Sequence, residues 1–371
     1  MRKTFITYTL FIAAMSAFIA LRVSAGKALA SERTKALEED AQDTAQTVEE
    51  DTGPVAAETT QEPADPGVLA SEEEDTGDTD DREYLWHGDV EPVAPYSGTA
   101  PRIVCWGDSL TVSLDGETAY PDVLRELSGC EVVNYGVDAE NTAMIAAREG
   151  GLRVNVKATV IPSAPDLIPV FLRTENDGHV FFLNNGDGGV NPCMIGPIEG
   201  DLQKLNGSYY FSRRKKGERY VVDDGTQFIT HAMQDAGDGD VLVIFAGTND
   251  LPDRKTVGNI IKLERAMLEY ANCDRYIIVG LTYAGGIPDI DEVNKALEEE
   301  FGDNFIDIRT YMLKYGLADA GVIMTPKDED DINKGEIPAS LRRDYVHGNR
   351  HYHRLLGEQI YRRMRYLGYL E

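Results

Sequence analysis

Five short apolar runs, each halted by a glycine or polar turn and spaced by helix-length segments, narrow the folds open to this chain. Arg102-Ile-Val-Cys-Trp106 stops at Gly107, Glu131-Val-Val-Asn134 at Gly136, and Asp240-Val-Leu-Val-Ile-Phe245 at Gly247. Arg275-Tyr-Ile-Ile-Val-Gly-Leu281 and Asn304-Phe-Ile-Asp-Ile308 follow. Brief apolar runs bounded by turn residues read as strands buried on both faces. Between them, helical periodicity marks Tyr120 to Leu127, about Asn141 to Arg148, Lys255 to Tyr270, Asp291 to Phe301 and Asn349 to Arg365. A strand with no polar face needs cover above and below. The alternation therefore predicts an α/β fold with a mostly parallel sheet and helices on both sides.

One stretch breaks the pattern. Gly151 to Gly225 has β-rich pieces, among them Leu152 to Ile161, His179 to Leu183 and Tyr209 to Ser212. Turn signals at Asn184-Asn-Gly186, Asp187-Gly188 and Lys216-Gly217 separate them. It reads as a small β domain inserted at about 151–225, between the second and third strands of the sheet. Both of its ends join elements that reach the sheet's functional edge, so it is expected to overhang the cleft and select large substrates without touching the chemistry. Arg213-Arg-Lys-Lys216 and Arg219 make the densest basic cluster in the chain. It could meet an anionic polymer, or form a solvated hairpin tip.

The formal net charge is −28, which excludes nucleic acid as a partner, since a duplex requires a basic footprint. The charge is concentrated. Residues 31–90 hold 20 Asp or Glu against Arg33, Lys35 and Arg82. A segment of that composition cannot bury enough apolar surface to offset its ordering entropy, so 31–97 is expected to be a disordered acidic linker. Before it, Met1-Arg2-Lys3 and the apolar run Thr4 to Leu21 have the form of an export signal, with Ala28-Leu29-Ala30 as a cleavage site. The run also reaches the lower limit of a membrane span. Residues 1–30 are thus expected to be a signal peptide or a membrane anchor. The rest of the protein would be secreted, or held at the outer face of the cytoplasmic membrane. Cys105, Cys130, Cys193 and Cys273 show no CxxC spacing, which argues against zinc; a disulfide stays open in an exported chain.

Gly107-Asp108-Ser109-Leu110 follows the first strand directly, where open α/β sheets gather their catalysts. Gly136 ends the second strand in Asn134-Tyr-Gly136, Gly247-Thr-Asn249-Asp250 ends the third, and Asp344-Tyr-Val-His347 precedes the last helix. This ordered set resembles the SGNH hydrolases, also called GDSL esterases and lipases. The resemblance covers roughly residues 100–150 and 226–371, leaving out the linker and the insert. It implies a flavodoxin-like three-layer sandwich over 98–371, interrupted by the small β domain, and a serine ester hydrolase that needs no cofactor and no metal. It also implies roles. Ser109 would be the nucleophile, His347 its general base, and Asp344 the group that orients the imidazole. Backbone N–H groups of Ser109 and Gly136 and the side-chain amide of Asn249 would form the oxyanion hole.

Other uses of the same residues remain open at this level. His347 and His351 have an i,i+4 metal spacing but no His-Glu-x-x-His around them. His351 and His353 read as surface groups, and Asp344 could be a helix N-terminal carboxylate. The expected substrate is an acylated small molecule or glycan, with removal of a short acyl group, acetyl above all, from a carbohydrate or envelope polymer. An acyltransferase with the same triad and a glycan-binding protein are the alternatives. The composition of the linker yields one test: a chain beginning near Glu91 should fold and hydrolyse small esters as fast as the longer one, and limited proteolysis should trim to about that boundary. Protection of the preceding segment would contradict it.

Overall fold

In the computed structural model, residues 101–370 are described, apart from 113–117, 238, 251–253 and 283–289. The expected signal or anchor and the acidic linker lie outside the described residues. Among the described residues no helix is long and apolar enough to cross a membrane.

The chain runs through β1 (Ile103–Gly107), α1 (Tyr120–Ser128), β2 (Val132–Gly136) and α2 (Thr142–Glu149). It then enters a run of short strands: β3 (Val154–Val156), β4 (Thr159–Ile161), β5 (Ile168–Val170), β6 (Leu172–Thr174), β7 (Cys193–Ile195), β8 (Ile198–Leu205), β9 (Ser208–Arg213), β10 (Tyr220–Val222) and β11 (Thr226–Ile229). After α3 (His231–Asp235) come β12 (Val241–Phe245), α4 (Arg254–Ala271), β13 (Tyr276–Val279), α5 (Ile290–Phe301) and β14 (Phe305–Ile306). Three short helices, α6 (Ile308–Lys314), α7 (Gly316–Asp319) and α8 (Pro326–Asn333), lead to the long α9 (Arg350–Tyr366).

β1, β2, β12, β13 and β14 form one parallel sheet in the order β14-β13-β12-β1-β2. Counted within that sheet the order is 2-1-3-4-5, so the order reverses direction beside β1. β1 and β12 are buried at every residue, which is why their sequences show no polar alternation. The helices begin where the caps place them. Asn141 accepts the Met144 N–H at 3.0 Å to start α2, and Asn349 accepts from His351 and Tyr352 to start α9. α1 packs against α9 and α2 against α4. Gly357 lets α9 close on α1, since a Cβ there would meet Val123 at 2.7 Å.

The inserted stretch has an apolar core of its own, including Val154, Phe182, Phe211 and Phe228. Ala147 of α2 belongs to that core, and Leu152 packs against both cores. Its seven-stranded sheet has the order β5-β9-β8-β7-β11-β3-β6, every pair antiparallel, and β10 pairs with β4 beside it. Its last strand, β11, lies past the expected boundary at Gly225. Leu152 to Ile161 divides into β3 and β4, and His179 to Leu183 is not a strand. The β8–β9 hairpin turns on Asn206-Gly207, both left-handed (φ 51° and 80°). Two of the five residues of the basic cluster are spent on structure. Arg213 is buried and donates to the carbonyls of Pro162, Lys215 and Glu218, and Arg214 pairs with Asp201 at 2.8 Å. All four cysteines are free thiols.

One buried cation joins these parts. Arg148, wholly inaccessible, donates to Glu140 through Nε (2.8 Å) and Nη2 (2.7 Å), and to the Tyr135 carbonyl at 2.8 Å. Its Nη1 donates to the Gly188 carbonyl of the insert at 2.5 Å, and its guanidinium lies 5.2 Å from the Trp106 ring centroid. Removing one partner of such a pair strands the other charge in a dry interior. Arg148→Ala should therefore cost about 3–5 kcal/mol of unfolding free energy, and Arg148→Met combined with Glu140→Gln appreciably less. Urea unfolding of the two variants checks this; equal losses would contradict it.

Candidate active site

The site begins where β1 ends. A Cβ on Gly107 would meet Thr111 Oγ1 at 2.1 Å and the Phe245 carbonyl at 2.7 Å, so only glycine lets the chain turn there. Asp108 then builds the turn. Its carbonyl accepts the N–H groups of Thr111 and Val112, both at 3.0 Å, and its Oδ1 accepts the Leu110 N–H at 2.9 Å. The carboxyl is fully buried; loss of hydration raises it to about 7, against the pull of the Leu110 N–H. Asp108 therefore supports the turn, and Ser109 stands at its apex.

On the other side, the Arg342 and Gly348 backbones bridge to close a tight loop, and Arg343 N–H donates to the His347 carbonyl at 2.8 Å. Within it, Asp344 Oδ1 accepts the N–H groups of Val346 and His347, each at 2.8 Å. His347 Nδ1 lies 2.9 Å from Asp344 Oδ2, and His347 Nε2 lies 2.9 Å from Ser109 Oγ. With its proton on Nδ1 facing the carboxylate, the imidazole presents Nε2 as acceptor for the serine hydroxyl. Burial alone would raise Asp344, but the His347 N–H, its imidazole and the Val346 N–H outweigh it and hold the carboxyl at about 2. The helix cap is Asn349, so Asp344 is not the α9 N-terminal carboxylate. Both ring nitrogens of His347 are engaged in this chain of bonds. His353 departs from expectation. It is buried, and burial lowers it to about 4, because on α9 its ring turns inward instead of to the surface.

The remaining expected residues are placed less simply. Asn249, exposed after β12, donates through Nδ2 to Asp108 Oδ2 at 3.1 Å and to the Glu140 carbonyl at 3.0 Å, so both amide hydrogens have acceptors. Asp250 Oδ2 accepts from Thr142 N (3.0 Å) and Oγ1 (2.8 Å), tying the same loop to the start of α2. Gly136 is buried, and its N–H donates to Asn134 Oδ1 at 2.9 Å. The need for glycine is steric: a Cβ would meet Val112 N at 2.4 Å and the Thr111 carbonyl carbon at 2.8 Å. Asn134 completes the clamp by donating Nδ2 to the Thr111 carbonyl at 2.9 Å.

Three residues beyond Gly136, Ala139 is exposed and left-handed (φ 57°). Among the described residues, the N–H groups of Ser109 and Ala139 have no protein acceptor. Alanine carries no sequence signal for this conformation, and Gly136 draws attention in its place. Asn185 of the insert donates to the Asp138 carbonyl at 2.9 Å, so the insert touches this loop.

No protein-family profile and no curated protein matches the chain. Among solved structures it is similar to a lipolytic protein of the G-D-S-L family from Desulfitobacterium hafniense DCB-2, at 16% identity and a TM-score of 0.35, over 71% of this chain and 98% of that one. It is also similar to a member of the lipolytic protein G-D-S-L family from Veillonella parvula DSM 2008, at 14% identity and a TM-score of 0.36, over 72% and 97%.

The packing of Gly136 under the 111–112 backbone makes a direct prediction. Gly136→Ala should cost about 1–3 kcal/mol by forcing that turn to move, and should lower any serine-dependent activity with it. Unchanged thermal stability would mean that the turn is not clamped from below.

Proposed function

We propose that this chain is a serine ester hydrolase acting through an acyl-enzyme. The observation that carries the reading is the continuous line of bonds Ser109 Oγ–His347 Nε2–Asp344, with 2.9 Å at each junction. A serine hydroxyl is a weak nucleophile until a base takes its proton. In the proposed reaction Ser109 Oγ attacks the acyl carbon while His347 Nε2 accepts the proton. Asp344 stabilises the imidazolium. The oxyanion is met by the N–H groups of Ser109 and Ala139, which have no acceptor among the described residues. Asn249 joins them by exchanging one of its two bonds. Gly136 is a weaker candidate than the sequence suggests, since its N–H is already donated. The imidazolium then protonates the departing alcohol, and a water activated by the same imidazole releases the acid.

The flavodoxin-like three-layer sandwich is the architecture we assign to this enzyme, with the site at the carboxyl ends of β1, β2 and β12. The substrate proposed is a short acyl ester, acetyl above all, on a carbohydrate or envelope glycan. Two features support it. The relay is open, with His347 and Asp344 side chains 23% and 50% exposed, which suits a small acyl group on a bulky alcohol and admits water as acceptor. Beside it Tyr345, 73% exposed, offers a flat face backed by Arg342, whose guanidinium lies 5.4 Å from the ring centroid. Export, by secretion or through an N-terminal anchor, is proposed from the sequence alone.

Ser109→Ala should abolish hydrolysis of an aryl acetate while leaving the melting temperature within a few degrees. A fluorophosphonate should label the parent at Ser109 and leave the variant unmodified. A variant that retains the parental rate would sink the assignment.

A further inference from the structure

We infer that Asn185, on the inserted β domain, is a positioning residue for the oxyanion site, acting through the Asp138–Ala139 peptide; this rests on the reading of Ser109 as nucleophile. A peptide unit is planar, and its C=O and N–H point in opposite directions. The Asn185 amide holds the Asp138 carbonyl from the insert side at 2.9 Å. The N–H of the same peptide, that of Ala139, is thereby turned away from the insert. One residue on, the Glu140 carbonyl accepts Asn249 Nδ2, which also bonds Asp108 next to Ser109. The loop is thus held at Asp138 by Asn185 and at Glu140 by Asn249, which also bonds the nucleophile's turn, and the planar peptide points the Ala139 N–H away from Asn185.

Ala139 needs such a hold. A left-handed φ of 57° costs a non-glycine residue free energy and persists where the surroundings impose it. The segment carrying Asn185 is built to impose it. Gly188 (φ 51°) lets the insert lie on Val137, whose Cγ2 a Cβ would meet at 2.2 Å, and the Gly188 carbonyl is fixed by the buried Arg148. Arg148 in turn grips Glu140, so the two ends of the 138–140 loop are tied to one rigid base. The insert thus bears on the chemistry of every substrate, small ones included, and is more than a selector of large ones.

The test is Asn185→Ala in the full chain, with an aryl acetate as substrate. Asn185 is exposed, so its loss should leave the melting temperature nearly unchanged. A misdirected donor weakens transition-state stabilisation and leaves ground-state binding alone. We expect kcat to fall about tenfold or more with KM within about twofold. Affinity for a trifluoromethyl ketone, which forms a tetrahedral adduct on serine, should fall by the same factor. Asn185→Asp, which sets a carboxylate against the Asp138 carbonyl, should fall at least as far. Parental kcat in both variants, or a loss matched by a lowered melting temperature or by a raised KM, would overturn the proposal. Ser109→Ala is measured beside them. If it stays active, the nucleophile reading fails and takes this proposal with it; if it is inactive while both Asn185 variants keep full kcat, the proposal alone fails.

Discussion

The buried guanidinium of Arg148 holds together parts that the chain separates. One planar cation bonds the end of β2 through the Tyr135 carbonyl, the following loop through Glu140, and the insert through Gly188, and it lies 5.2 Å from the Trp106 ring centroid. A charge with no access to water survives only where its donors are met and its counter-ion is at hand. Any shift of the insert against the sheet would leave that charge unmet. The insert and the 137–140 loop are therefore fixed in one arrangement, and the loop flanks the site.

The parallel sheet supplies the rest of the placement. Three adjacent strands end side by side: β1 delivers Ser109, β2 the 137–140 loop, and β12 Asn249. Gly107 lies opposite both Gly136 and Phe245 in register, so the three ends are level. Asn249 then links all three, bonding Asp108 after β1 and Glu140 after β2 from its own place after β12. His347 and Asp344 come from the far end of the chain, on a loop that closes on itself through the Arg342–Gly348 bridge before α9 begins. A self-contained loop of that kind fixes the imidazole independently of the strands.

What the sequence made readable follows the same physics. β1 and β12 stand out because burial on both faces removes polar alternation, and α2 and α9 begin where Asn141 and Asn349 cap them. Ser109, Asn249, Asp344 and His347 are polar residues at fixed points on these elements, so their convergence could be anticipated. Ala139 could not, since a left-handed alanine is set by tertiary context. Gly136 is required by close packing, which a glycine in the sequence signals as readily as it signals an open N–H. Inside the insert, strands of three or four residues are too short for periodicity to emerge, and His179 to Leu183 carries strand-like residues without a partner strand. His353 shows the reverse failure: a polar residue among charged neighbours is carried inward by the phase of the helix.

As proposed, Ser109 is the attacking residue, and an oxyanion formed there meets the backbone N–H groups of Ser109 and Ala139. The most direct measurement is a crystal structure of the protein inactivated with an alkyl fluorophosphonate. It should show phosphorus bonded to Ser109 Oγ, with the phosphoryl oxygen within about 3.1 Å of both N–H groups. An adduct on another residue, or a phosphoryl oxygen turned away from the 137–140 loop, would contradict it.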